Sequence, residues 1–243
     1  MKNVASSSQR NYELLADAAH KMFLAFIIEL LAPIAVVLDI LISGGVATLI
    51  SAHLNVLLGS VGFLSALLLT LLLFISSFML TYLSFKQLNE YDRPKYWVGV
   101  TGIKMLIGGL ILVALAVVVM IGTGAYGAIS TVSSVISSPV MAFKLLRTSL
   151  IILGVVLGIA IFGGLLALVG GILVLVCLWR LGDEPGGGLL KVHVILVIIT
   201  PILALIGFHV LAAFIAFISI VVAIVGAKSI SENALREQML ARK

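Results

Sequence analysis

The sequence predicts an all-α integral membrane protein, a helical bundle of six transmembrane helices arranged as three hairpins. Three observations carry this expectation. Hydrophobic residues make up 62% of the 243-residue chain and charged residues 10%, where a soluble domain carries about 25% charged residues. Fifteen Lys and Arg with ten Asp and Glu cannot cover a globule of 25.7 kDa whose mean hydropathy is +1.31. The apolar residues also fall into runs long enough to cross about 30 Å of hydrocarbon. A soluble enzyme and a nucleic-acid reader are thereby excluded. The net charge of +5 reads as topology signalling and contact with the lipid bilayer, with no nucleic acid as partner.

Residues 1–21 are polar and form one end of a single transmembrane domain covering 1–243; residues 227–243 form the other. Tyr12, Leu15, Ala16 and Ala19 share a helix face, and Ser231 offers an N-cap to the last segment. Both ends therefore read as amphipathic helices, lying on the membrane surface or docked to a partner. The first span is 22–43, longer than the apolar core of a signal peptide and so expected to stay uncleaved. The second, 56–85, is about 45 Å long as a helix and has to tilt or extend past the bilayer. Tyr91, Tyr96 and Trp97 follow it and suit an interface.

The third span is 98–121, from which Lys104 can snorkel outward. Residues 122–148, rich in Gly, Ser and Thr, read as the longest loop, interfacial or partly helical. The fourth span, 149–178, ends at Trp179-Arg180, and the run Gly182 to Gly188 is the clearest turn in the chain. The apolar stretch 189–226 is about 57 Å as one helix, nearly twice the hydrocarbon thickness. Splitting it into 189–206 and 208–226, near Gly207-Phe208-His209, puts 13 of the 15 basic residues on the side of the N-terminus and leaves Lys144 and Arg147 opposite. One overlong span would give nine against six. The positive-inside rule favours the split: six spans in the cell membrane with both termini cytoplasmic.

The even-numbered spans exit alike, through Lys86-Gln87-Leu88-Asn89-Glu90, Arg180-Leu181-Gly182-Asp183 and Lys228-Ser229-Ile230-Ser231-Glu232. This pattern fits a threefold repeat of helical hairpins, and equally a snorkelling cation at each cytoplasmic helix end. The Leu178-Trp179-Arg180-Leu181-Gly182-Asp183-Glu184 exit, its Gly-rich turn and the following Leu189-Leu190-Lys191 resemble the small polytopic membrane proteins of unknown function found in archaea. The resemblance covers residues 150–226, with a looser echo at 71–110, and implies no chemistry.

Within the spans, Glu29 and Asp39 are the acidic residues set deep in an apolar run. A carboxylate in hydrocarbon is expensive and usually faces the protein interior or a water-filled cavity. Pro33, one turn after Glu29, frees a backbone carbonyl nearby, so Glu29, Pro33 and Asp39 mark a possible ion or proton site; a structural hydrogen bond from Glu29 to another helix is the alternative. Asp39, near the outer interface, is more readily solvated. Gly154 and Gly158, then Gly163, Ala167 and Gly171 one face on, have the small-residue spacing that lets helix backbones approach closely; a glycine-lined path is the other reading. His20 and His193 at one level, with His53 and His209 at the other, match the layout of a two-haem cytochrome b, but all four stand at span ends, where interfacial histidines are ordinary. No metal site and no cofactor is expected. Cys177 is the lone cysteine, which rules out an intrachain disulfide.

No P-loop, nucleophile elbow, zinc-protease or dinucleotide fingerprint occurs. The expected function is that of a non-catalytic multi-pass membrane protein, an accessory or structural subunit of a membrane complex or a homo-oligomer. The alternative is a small channel or transporter with an ion or proton site at Glu29.

Overall fold

The structure, a computed structural model, describes the backbone of residues 2–48, 52–134 and 139–240, with side chains chiefly over 11–35, 68–122 and 150–240. Six helices follow one another: α1 (Lys2–Thr48), α2 (Ala52–Tyr91), α3 (Arg93–Ser134), α4 (Pro139–Leu181), α5 (Gly188–Leu205) and α6 (His209–Leu240), with no strand among the described residues. Each contains a segment long and apolar enough to cross a membrane: Asn11–Ala35, Leu68–Tyr91, Arg93–Gly122, Leu150–Leu181, Gly188–Leu205 and His209–Leu240. The protein is an all-α, multi-pass membrane protein with six apolar helices.

The break inside the apolar stretch 189–226 falls at Gly207, whose φ of +98° only glycine adopts without strain. The Phe208 amide donates to the Leu203 carbonyl at 2.9 Å and the Gly207 amide to that of Ala204 at 3.1 Å, the paired bonds that close a helix C-terminus around a left-handed residue. Asp92 performs the opposite task at the α2–α3 turn. Its carbonyl accepts from the Tyr96 amide at 3.0 Å and its Oδ1 from the Lys95 amide at 3.3 Å, starting α3 with Pro94 in the first turn.

Two expectations about local structure change. Residues 122–134 continue α3 and residues 139–148 begin α4, so most of the expected loop is helix. Glycine and serine are weak helix formers, but that preference amounts to at most about 1 kcal/mol per residue and yields to the continuation of a long helix. Within the polar N-terminal segment, the apolar face is covered by the chain's own helices. Leu15, Ala16, Ala18 and Ala19 are buried, because α1 packs on both α2 and α6.

Contacts divide the chain into two compact units: residues 1–100 with 175–243, and residues 101–174. In the first, α1 and α2 pair antiparallel. As α1 runs from Asp17 through Ala18 to Ala25, its partners on α2 run back from Gln87 through Ser84 to Ser77. Helix α5 packs on α6 in the same sense: Leu190 lies against Gly226, and His193 meets Ser219. Ser231 Oγ donates to the Ala16 carbonyl at 3.1 Å, tying the C-terminal helix to the N-terminal one. Met22, Phe85, Leu88, Tyr96, Leu181 and Ile230 are fully buried in this unit.

In the second unit α3 and α4 meet along a glycine seam. A Cβ on Gly102 would stand 2.8 Å from Leu173 Cβ, and one on Gly163 would stand 2.8 Å from Leu112 Cβ and 2.9 Å from the Gly109 carbonyl. Gly109 and Gly170 are pressed as closely onto the backbones of Ala167 and Leu106. Without side chains at these positions, the two backbones come into direct van der Waals contact.

Candidate functional site: a polar layer within the spans

Glu29 and Ser77 form the first part of this layer. Ser77 is buried, and its Oγ donates to Glu29 Oε1 at 2.9 Å while lying 3.5 Å from the Ala25 carbonyl. The sequence places Glu29 there by helical spacing: Ala18, Met22, Ala25, Glu29 and Pro33 fall at intervals of three and four residues and so share one stripe of α1. Along that stripe Ala18, Met22 and Ala25 are buried, whereas Glu29 and Pro33 are exposed. Among the described residues of this stripe burial ends at Ala25, and Glu29 stands just beyond it.

His193 forms the second part, and it is buried. Its Nδ1 lies 2.9 Å from the Ser219 carbonyl and 2.7 Å from Ser219 Oγ, and that hydroxyl is 3.3 Å from the His193 carbonyl. A carbonyl only accepts, so the arrangement that satisfies all three groups has Nδ1–H donating to the Ser219 carbonyl and the hydroxyl donating to that of His193. Phe26 of α1 packs edge-on against the imidazole with centroids 5.3 Å apart. Phe26 is one turn before Glu29, so the His193–Ser219 pair and the Glu29–Ser77 pair lie about one helical turn apart along α1.

The other sequence candidates are dispersed. His20 is exposed and stacks on Phe23 at 6.0 Å, and His209 is exposed at the start of α6. The side chains of His53 and Asp39 lie outside the described residues. Among the described residues no three His, Cys, Asp or Glu side chains gather where a metal ion could be held. The glycines of α4 divide between two faces. Gly163 and Ala167 lie in the seam with α3, which continues through Gly170, while Gly171 meets only the tip of Leu106 at 3.8 Å. A Cβ on Gly154 or Gly158 would find no described atom within 4 Å. Gly154 precedes Gly163 by two and a half turns, which puts it on the opposite side of the helix.

A second polar cluster escaped sequence reasoning. Glu184, in the α4–α5 turn, accepts at Oε1 from Lys95 Nζ at 2.6 Å and from the Tyr96 hydroxyl at 2.7 Å, and Tyr91 reaches Oε2 at 3.5 Å. Arg180 donates to the Lys95 carbonyl at 2.7 Å. Beside it, Lys191 pairs with Asp183 at 2.5 Å and holds that carboxyl below the usual aspartate range. Gly186, with φ +86°, lets the turn press against Ser229 and Asn233 of α6. The cluster joins the α2–α3 and α4–α5 turns within the first unit. The only signal for it in the sequence was an acid-bearing turn together with a Lys-Tyr pair at a helix start.

No curated protein and no solved structure matches the chain significantly. Residues 13–242, nearly its whole length and including both polar pairs, match the family described as protein of unknown function DUF973, and the chain belongs to that family.

Proposed function

We propose that the protein is a non-catalytic component of the cell membrane that assembles with copies of itself or with other membrane subunits, through the Gly154–Gly158 face of α4. The observation carrying this reading is the division of the α4 glycines. Gly163 and Gly170 are consumed in the seam with α3, whereas a Cβ on Gly154 or Gly158 would meet no described atom within 4 Å. A small-xxx-small pair admits another backbone closely and gains dispersion contacts that lipid tails supply less well. The antiparallel registers of α1–α2, α3–α4 and α5–α6 support three hairpins as the repeating unit, and the charge distribution supports cytoplasmic termini.

Native mass spectrometry of the purified protein in mild detergent tests the assembly. The wild type is expected as a dimer or higher species, or with co-purifying subunits, and Gly154→Leu with Gly158→Leu is expected to release the single chain. A wild type that flies only as a bare monomer would overturn the reading. Labelling of an engineered cysteine at Glu232 from outside intact cells would overturn the assigned orientation.

The exposure of an acidic side chain within an apolar span supports a second reading, a small channel or transporter with its ion or proton site at Glu29; the hydrogen bond to Ser77 of α2 is what a purely structural role of that residue would show. Reconstituted alone, such a protein gives ion or solute flux that Glu29→Gln abolishes; silent liposomes exclude it.

A further inference from the structure

His193 is buried where α5, α6 and α1 of the first unit come together. It stands five residues into α5, about 7.5 Å from the turn that opens that helix, so a proton has a short way to travel from the aqueous interface. Its Nδ1 is satisfied by Ser219 of α6. Its Nε2 is not: among the described residues that nitrogen has no hydrogen-bond partner, and the ring meeting the imidazole from α1 is Phe26, which carries no oxygen or nitrogen.

The surroundings leave a charge on this ring without a counter-ion. On α6 the stripe of Ser219 continues through Ala212, Ala223 and Gly226, all buried. On α1, Glu29 is the ionisable group on the side of Phe26, one turn further on, and its Oε1 is taken by the Ser77 hydroxyl of α2. Nearer the start of α1, Asp17 and Lys21 pair with each other at 2.7 Å, and His20 is exposed and stacked on Phe23. On α5 itself, Lys191 is drawn to Asp183.

We propose that His193 is a pH-sensitive joint between α1 and the α5–α6 hairpin. Neutral, it seals the contact; protonated, it parts α1 from the hairpin while α5 and α6 stay together. The asymmetry follows from the hydrogen bonds. Protonation keeps Nδ1–H in place, and an imidazolium donates more strongly to the Ser219 carbonyl than a neutral ring does, so the α5–α6 contact holds. The new Nε2–H and its charge meet apolar side chains toward α1, a cost that falls when water enters there. Imidazole is the side chain whose charge ordinarily changes between about pH 5 and 8. The bond from Ser231 to the Ala16 carbonyl keeps α1 tied near its start, so the parting opens beyond that end. The inference is independent of the α4 face and of transport through Glu29.

The test is double electron–electron resonance on the full chain in lipid nanodiscs, with the buried Cys177 replaced by Ala. Spin labels go on exposed positions: Leu31 of α1 with Ile198 of α5, and Ile198 with Val225 of α6. Lowering the pH from about 8 to about 5 is expected to lengthen the Leu31–Ile198 distance and to leave Ile198–Val225 unchanged. His193→Asn, whose amide N–H can still meet the Ser219 carbonyl but takes up no proton, should hold the short distance at both pH values. If His193→Asn fails to fold, as judged by elution profile and melting, His193→Phe serves the same purpose.

A Leu31–Ile198 distance that stays constant or shortens on acidification, a shift that persists in the His193 variant, or an equal shift of Ile198–Val225 would overturn the proposal. Glu29→Gln separates the two acid-sensitive groups: the shift should persist in that variant, and its loss would assign the titration to Glu29 instead.

Discussion

Ser77 of α2 donates its hydroxyl to Glu29 Oε1 of α1 at 2.9 Å, from a buried position to an exposed one. The bond sits just beyond the buried part of this stripe of α1, and it both ties the helices and fixes the direction of the carboxyl group. Removing it by Ser77→Ala is expected to cost about 0.5–1.5 kcal/mol, read as a shift in the unfolding midpoint in mixed detergent micelles. Glu29→Gln keeps an oxygen acceptor and should cost less. The double variant should show coupling, since the two residues are in direct contact.

The α3–α4 seam predicts opposite outcomes for glycines of one helix. Gly163→Ala adds a Cβ within 3 Å of Leu112 Cβ and the Gly109 carbonyl, and is expected to destabilise by about 1–3 kcal/mol through overpacking. Gly164→Ala meets no described atom within 4 Å and should be neutral or stabilise by up to about 1 kcal/mol through helix propensity. Melting curves of the two variants beside the wild type check the contrast. Equal destabilisation would contradict the division of faces.

Glu184 gathers Lys95 and Tyr96 with only 11% of its side chain exposed, against 28% for Lys95. Glu184→Gln should leave the lysine without its counter-charge and the tyrosine with a weaker acceptor. A loss of about 1–3 kcal/mol is expected, below the figure for a fully buried pair because water reaches Lys95. Lys95→Met should recover part of the loss in the Glu184→Gln background. The check is a double-mutant cycle on unfolding free energies, and additivity would show that the pair does not interact.

Hydropathy and charge made the number of helices legible, and a glycine marked the α5–α6 break, because crossing a bilayer and ending a helix are local demands. Which side of a helix is used is not local. Gly154, Gly158, Gly163 and Ala167 share one spacing, yet only the last two meet α3, since the choice depends on Gly102 and Gly109 some fifty residues earlier. Glu29 drew notice because a carboxylate in an apolar run is costly wherever it points. Glu184 drew none as a hub: an acid in a polar turn is ordinary, and its partners Tyr91, Lys95 and Tyr96 come together only in the fold.

The Asp183–Lys191 pair gives a pH dependence of defined sign. Lys191 depresses the Asp183 pKa in the folded state, so the pair stabilises fully above the unfolded aspartate value, near 4, and this contribution disappears as pH falls through the lower folded value. Lys191→Met should flatten that acid limb by lowering stability slightly above the unfolded aspartate value while leaving the acid end unchanged, and the loss at neutral pH should be small because the pair is exposed and screened by salt. Melting temperatures between about pH 3 and 6 for both proteins, at low and high salt, check this. A steeper limb in Lys191→Met would reverse the assignment.

Gly207 is where the longest apolar stretch turns back, and its replacement isolates the requirement for a left-handed residue. A Cβ there meets no described atom within 4 Å, so Gly207→Ala introduces no clash with a neighbour; its whole cost is the φ of +98°. For an L-residue that conformation costs about 1–2 kcal/mol. Gly207→Asn should cost less, since asparagine tolerates left-handed geometry better. Gly164→Ala, inside a helix and equally open, is the matched control and should show no loss. Melting of the three variants decides: equal effects of Ala and Asn would point to a changed backbone at the turn, and no effect of either would mean that the stretch does not need this turn to fold back.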